Sequence, residues 1–249
     1  MDNLLVPPSF NTPLVYGNSE VGKLLICGKG NPNDVMELVI PTEKWINSFL
    51  SDCKNSLVIH LDLNYINNPI SLMITGILRI VSHSYDPLRT TIFWHYNTYD
   101  DDMFEIGDDY ADWVKCSFNI VKHSPANNLS IAKSETSPLV YIDTTGDFLV
   151  HGASTMESPM DFYRPIVRWL SDRLMGDKLN VLSLNMHLTD VSPSSEPFLK
   201  AMVYLVDAIG YMDPRVTIEW CYSNQDIERL GEECLSGLSV HYRFKHVPL

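Results

Sequence analysis

Val58-Ile59-His60-Leu61-Asp62-Leu63-Asn64-Tyr65-Ile66 leads through Asn67-Asn68-Pro69 into Leu72-Met73-Ile74-Thr75-Gly76-Ile77-Leu78-Arg79-Ile80-Val81. The first segment alternates about Leu61, Leu63 and Tyr65, the period of a strand, and the last has the apolar spacing of a helix. At the join, an Asn directly before Pro69 predicts a helix start: Asn accepts orphan N–H groups as the cap, and Pro sits where no N–H is needed. A strand feeding a helix through so tight a turn leaves bare N–H groups at the positive end of the helix dipole. That end favours an anion, either a ligand or a covalent phosphate.

The same arrangement returns from Val181 to Val206, and other stretches return with it. Thr12-Pro13-Leu14-Val15-Tyr16 matches Ser137-Pro138-Leu139-Val140-Tyr141, and Gly22 to Gly28 matches Gly146 to Gly152. Pro41 and Trp45 recur as Pro165 and Trp169, Trp94 as Trp220, and Gly107 as Gly231. So regular a repetition marks a tandem duplication. It predicts one copy over 1–123, a polar linker over 124–136 and a second copy over 137–249, with residues 1–11 an irregular lead-in.

Each copy parses as β-β-α-β-α-β-α-β. In the first, strands are expected at 14–18, 23–28, 58–66, 90–97 and 118–122, with helices at 40–52, after Pro69 and at 101–114. The second repeats this with helices at 163–175, 197–210 and 226–235 and strands at 181–188, 216–222 and 240–245. The fold class is therefore α/β, two domains with helices packed on a mixed sheet that is parallel where right-handed crossovers join its strands.

Composition narrows the function classes. The 249 residues are 45% hydrophobic, 20% charged and 10% aromatic, a globular make-up. A net charge of −13 argues against nucleic acid and anionic membrane, both of which demand Lys and Arg. Five scattered cysteines give neither a disulfide framework nor a zinc spacing and read as free thiols in a reducing compartment. No run approaches the length of a membrane span, and the acidic Met1-Asp2-Asn3 is unlike a signal peptide, so a cytoplasmic protein is expected.

The chemical motifs are few. The histidines fall mostly as singletons on expected strands (His60, His95, His187, His241), and no Gly-x-Ser-x-Gly elbow, His-Glu-x-x-His or Cys/His pairing provides a hydrolytic site. Gly28-Lys29-Gly30-Asn31-Pro32 lacks the rest of a phosphate loop and reads as a turn. The acidic run over 100–109 invites a metal or small-molecule reading, yet it has no regular ligand spacing, and acids at a helix start are stabilising in their own right. No metal and no cofactor are expected. Phe162, Ile166, Trp169 and Leu170 share one helical face and read as core.

The second-copy turn, Asp190-Val191-Ser192-Pro193-Ser194-Ser195-Glu196-Pro197, is rich in hydroxyls and reads as three residues longer than its counterpart. Counted back from the helix, Asn68 falls opposite Ser194; counted forward from the strand, it falls opposite Val191. Ser194 or Ser195 can serve as a plain helix cap. Alternatively a serine here is a phosphoacceptor, adding about −1.5 to −2 charges beside the dipole end.

Three stretches together resemble the SiaC-type regulatory phosphoprotein family. They are Glu157 to Leu170 with Phe162-Tyr163 and Pro165-Ile166, Leu61 to Asn67, and Trp94 to Tyr110 with Asp102-Met103 and Gly107-Asp108-Asp109. The resemblance covers nearly the whole chain, although the family has a single copy of the unit. It implies a STAS-like fold and a non-enzymatic partner-switching protein of bacterial cyclic-di-GMP and biofilm signalling. It implies three protein partners: a histidine-kinase-like Ser/Thr kinase, a PP2C-type phosphatase, and a diguanylate cyclase activated by the unmodified form. The family's acceptor is a Thr directly after an Asn. That Asn is Asn67 here, and the Thr position holds Asn68, which takes no phosphate. In the second copy Ser194, then Ser195 or Ser192, stand as substitutes. Asn67, Asn68, Ser71, Asp161, Tyr163 and Arg164 are the expected partner-binding residues, with the copies forming a pseudo-dimer. Two outcomes of the duplication stay open: a division of labour between the copies, or a constitutive binder that no kinase controls.

Overall fold

A computed structural model describes residues 1–9, 11–32, 34–52, 55–123, 129–142, 146–175 and 183–248. Cys53, residues 124–128 of the stretch read as a linker, and the first two residues of the strand expected at 181 lie outside them. The chain divides into two units, Met1–Pro125 and Ala126–Leu249.

The first unit runs β1 (Leu4–Val6), β2 (Leu14–Asn18), β3 (Lys23–Gly30), α1 (Met36–Asp52), β4 (Leu57–Ile66), α2 (Asn68–Ser82), β5 (Thr90–Asn97), α3 (Asp101–Ala111) and β6 (Ser117–His123). The second runs β7 (Leu129–Ile131), β8 (Leu139–Ile142), β9 (Asp147–Ser154), α4 (Met160–Met175), β10 (Ser183–Val191), α5 (Glu196–Met212), β11 (Thr217–Tyr222), α6 (Gln225–Leu235) and β12 (His241–His246). Each unit has a six-stranded sheet in sequence order. The first three strands of each pair antiparallel and the last four parallel.

Strands laid down in sequence order through right-handed crossovers place every helix on the same face of the sheet. Strand alternation then divides the side chains. In the first unit Leu24, Ile26, Ile59, Leu61, Ile92 and Trp94 join Trp45, Phe49, Ile74 and Ile77 of the helices in one core. Cys27, His60 and His95, one residue out of phase, fall on the helix-free face. In the second unit Phe148, Val150, Leu184, Met186 and Trp220 are buried with Tyr163, Ile166, Phe198 and Met202. Phe162, expected with that core, is only half-buried, and Tyr163 takes the buried place beside it.

The two units repeat each other in detail. The Trp94 indole N–H donates to the Met103 carbonyl (2.8 Å) and that of Trp220 to Ile227 (3.0 Å). A β-carbon on Gly107 would lie 2.4 Å from the Trp94 ring, and one on Gly231 2.5 Å from the Trp220 ring. The helices α3 and α6 can therefore seat on these indoles only through glycine.

Two stretches read as irregular carry strands instead. Leu4–Val6 of the lead-in pairs antiparallel with Val15–Gly17, and Leu129–Ile131 of the linker pairs with Val140–Ile142. Both are short edge strands, whose pattern is too brief to show a period. The helices α1 and α4 begin earlier than expected, at Met36 and Met160, with Pro41 and Pro165 inside them. A proline there removes one backbone donor without ending the helix. Among the described residues no helix is long and apolar enough to cross a membrane.

Candidate functional site

The strand-to-helix turns at β4–α2 and β10–α5 follow from matched strand registers. Val58 lies beside Lys23 and Ser183 beside Asp147; Leu63 lies beside Gly28 and Leu188 beside Gly152; Ile66 lies beside Gly30 and Val191 beside Ser154. Both ladders shift register at the same point, after Leu63 and after Leu188. The partners there, Gly28 and Gly152, have φ of 113° and 117°, a conformation that favours glycine.

Past the strands the correspondence continues. The Asn67 N–H donates to the Gly30 carbonyl and the Ser192 N–H to that of Ser154, each at 2.9 Å. The Ser71 N–H donates to the Asn67 carbonyl, and the Glu196 N–H to that of Ser192. Ile70, Met73, Ile74 and Ile77 are buried on α2 in the positions that Ser195, Phe198, Leu199 and Met202 fill in the second unit. From Val58 through the turn into α2, each residue and its counterpart are 125 residues apart (58 and 183, 67 and 192, 77 and 202).

The second turn is therefore the same length as the first, not three residues longer. The miscount comes from matching Pro69 to Pro197, since each follows the first helical residue. In the second unit Ser192 to Ser195 instead forms a tight turn, with Ser195 N–H donating to the Ser192 carbonyl (2.9 Å), and regular helix starts only at Glu196. Asn68 thus corresponds to Pro193, neither to Ser194 nor to Val191.

The local chemistry of the turns differs. In the first unit the cap is Asn67 rather than Asn68: its Oδ1 accepts from the Ile70 N–H (3.2 Å), and its Nδ2 donates to Asn31 Oδ1 (3.2 Å) and the Pro32 carbonyl (2.8 Å). Asn68 is exposed. Ser71 Oγ lies 3.0 Å from Tyr110 Oη, which links α2 to α3. Asn31 and Tyr110 escaped sequence reasoning; the only trace of Asn31's role was the turn read over Gly28–Pro32, of which Gly28–Gly30 instead end strand β3.

In the second unit Ser195 holds the cap position, but its side chain makes no cap hydrogen bond and is fully buried. Its hydroxyl lies 3.2 Å from Ser192 Oγ, which also lies 2.9 Å from Ser194 Oγ. Ser194 Oγ donates to the Met156 carbonyl (3.0 Å). Ser192 and Ser194 are half-buried. Tyr163, expected at the partner surface, is fully buried instead. Its hydroxyl lies 2.6 Å from Ser154 Oγ, its ring stacks on Phe198, and burial pushes its pKa well above the usual phenol value. Asp161 is exposed and Arg164 half-buried on the same helix α4. Beside the start of α5 is a groove of about 490 Å³ lined by Asp190, Glu196, Asp226 and Glu233, with Arg229 its one basic lining residue.

His60, His95 and His187 are not singletons. On the helix-free face of the first sheet, His60 Nδ1 lies 3.0 Å from His95 Nε2, and His95 Nδ1 lies 2.7 Å from His123 Nε2. In the second sheet His151, His187, Cys221 and Lys245 form one row across four parallel strands. Parallel pairing brings together residues far apart in sequence, which spacing rules do not reveal. The acidic run serves as a helix start: Asp100 Oδ1 accepts from the Met103 N–H (3.1 Å), and Asp101 and Asp102 lie in the first turn of α3.

Comparison with known proteins adds the family. The profile of the SiaC family regulatory phosphoproteins matches residues 6–123 and again 131–247. An uncharacterised protein of Pseudomonas aeruginosa strain UCBPP-PA14 is 26% identical over 124 residues, which is 49% of this chain and 98% of that protein. Among solved structures, SiaC of Pseudomonas aeruginosa is 25% identical over 49% of this chain and 100% of its own, with a TM-score of 0.46. The structure of the diguanylate cyclase SiaD in complex with its activator SiaC, from the same organism, contains a chain 25% identical over 48% of this one and 99% of its own, again with a TM-score of 0.46. The protein belongs to the SiaC family of regulatory phosphoproteins and carries the family's unit twice.

Proposed function

We propose that this protein is a non-enzymatic regulator that binds and activates a diguanylate cyclase, and that it does so constitutively. Family membership supports the class of activity, and SiaC of Pseudomonas aeruginosa activates the cyclase SiaD. The observation that supports the constitutive reading is the correspondence of Asn67 with Ser192; if the acceptor directly follows that position, as the family resemblance implies, Asn68 and Pro193 stand in its place. Neither side chain has a hydroxyl to phosphorylate. The acidic groove at the start of α5 acts in the same direction, since a phosphate there meets like charges that offset the helix dipole. The unmodified state is the one the family resemblance associates with cyclase binding, and this chain is held in it by composition.

The test is to titrate the purified chain into a purified diguanylate cyclase and follow cyclic-di-GMP production. Activation is expected, with Asn68→Asp reducing it by placing charge at the helix start. Absence of both binding and activation overturns the proposal.

Ser194 supports a second reading. Its hydroxyl is half-buried, close to the acceptor position, and hydrogen-bonded to the Met156 carbonyl. A Ser/Thr kinase and a PP2C-type phosphatase acting on it would make the second unit a switch, with coupling of about 1–3 kcal/mol between phosphate and partner.

A further inference from the structure

The row of side chains on the helix-free face of the second sheet is a mixed nitrogen, sulfur and oxygen donor set. Cys221 Sγ lies 3.1 Å from His187 Nε2 and 3.6 Å from Glu219 Oε1, and a ligand atom from each of the three lies within 4.8 Å of the others. His151 stands beside His187 in register on β9, with ring centroids 6.1 Å apart. A cavity of about 110 Å³ opens at this point, lined by His151, His187, Thr189, Cys221, Ser223 and Val247 among others. Cys221 and Glu219 are buried, His187 is half-buried and His151 is exposed, so the donors lead from the sheet surface inward.

We propose that His187, Cys221 and Glu219, completed by His151, bind a zinc-class divalent cation. Zn²⁺ takes four ligands from thiolate, imidazole and carboxylate in a tetrahedral arrangement, whereas Ca²⁺ and Mg²⁺ require six or more oxygens that this set lacks. Two adjacent strands in fixed register, β10 with His187 and β11 with Glu219 and Cys221, hold the three inner donors, so little ordering accompanies uptake.

Two neighbouring cations set the electrostatic condition. Arg243 pairs with Glu219 Oε2, and Lys245 Nζ lies 3.7 Å from Glu219 Oε1. Arg243 keeps its oxygen and holds the carboxylate in orientation, while Oε1 passes from the looser Lys245 contact to the metal. Uptake converts the Cys221 thiol to a thiolate and releases its proton to solvent, so a divalent ion raises the local charge by only one unit. His187 binds as neutral imidazole through Nε2, the atom that faces Cys221.

The test uses the full chain after chelator treatment, titrated with Co²⁺ as a spectroscopic stand-in and with Zn²⁺ in competition. One equivalent of Co²⁺ is expected to produce thiolate-to-cobalt charge-transfer absorption, bleached by Zn²⁺ and unaffected by Mg²⁺. Cys221→Ser should abolish the band, His187→Gln should weaken Co²⁺ binding at least tenfold, and Cys116→Ser, in the first unit, should leave both unchanged. Circular dichroism confirms that each variant is folded. A chain that gives no thiolate band, or whose band survives Cys221→Ser, overturns the proposal. So does an affinity unaltered by His187→Gln in a folded variant.

Discussion

Asn67 and Ser192 occupy the same place in their two units: each backbone N–H donates at 2.9 Å to the carbonyl ending the neighbouring parallel strand, that of Gly30 in β3 or Ser154 in β9. Only the side chains differ, and the difference alters how each helix starts. Asn67 caps α2 and ties it to Asn31 and Pro32, whereas Ser192 gathers Ser194 and Ser195 into a hydroxyl cluster ahead of α5.

From this, Asn67→Ala should destabilise the first unit by about 1–2 kcal/mol, through the lost cap and two lost side-chain donations. Ser195→Ala should cost less than about 1 kcal/mol in the second unit, because that side chain makes no cap hydrogen bond. Denaturant unfolding followed separately for the two units measures both. Equal costs would contradict the assignment of a side-chain cap to Asn67 and of none to Ser195.

Gly107→Ala and Gly231→Ala should each destabilise their own unit by about 1–3 kcal/mol, despite alanine's better helix propensity, because the added methyl overlaps the Trp94 or Trp220 indole. Calorimetric unfolding should show matched losses. A gain in either variant would mean that the indole can move aside.

Arg215 sets an acid limit on the second unit. Its guanidinium donates to both carboxylate oxygens of Asp213 (2.9 and 2.7 Å), and with its backbone N–H it holds that carboxyl down at about 2. A folded value below the unfolded one stabilises the fold above the ordinary carboxylate range, and that contribution is lost as pH falls from ~4 to ~2. Unfolding midpoints measured across that interval should decline less steeply in Arg215→Gln than in the parent chain. Parallel declines would refute the linkage.

Much of this was legible in the sequence, for reasons visible at particular residues. Leu61, Leu63 and the Ile74–Ile77 run carry periods long enough to identify strand and helix, and the recurrence of Trp94 and Gly107 as Trp220 and Gly231 identified the duplication. The edge strands Leu4–Val6 and Leu129–Ile131 were missed because three residues show no period. Tyr163 was placed at a partner surface because its neighbours form a recognisable motif, while its burial depends on Ser154 and Phe198 from other elements. The histidine row His60, His95 and His123 and the cluster about Cys221 depend on strand order, which spacing along the chain does not encode.

On the proposed function, neither helix start carries a phosphoacceptor at the position that the family resemblance implies. The most direct test incubates the chain with a purified SiaC-family kinase and ATP, using a single-copy SiaC as positive control. Intact-mass analysis and cyclase titration follow. No added phosphate on this chain and an unchanged dissociation constant for the cyclase are expected, with Asn68→Thr gaining one phosphate. A phosphate on the parent chain's second turn, with cyclase binding weakened tenfold or more, would contradict the proposal.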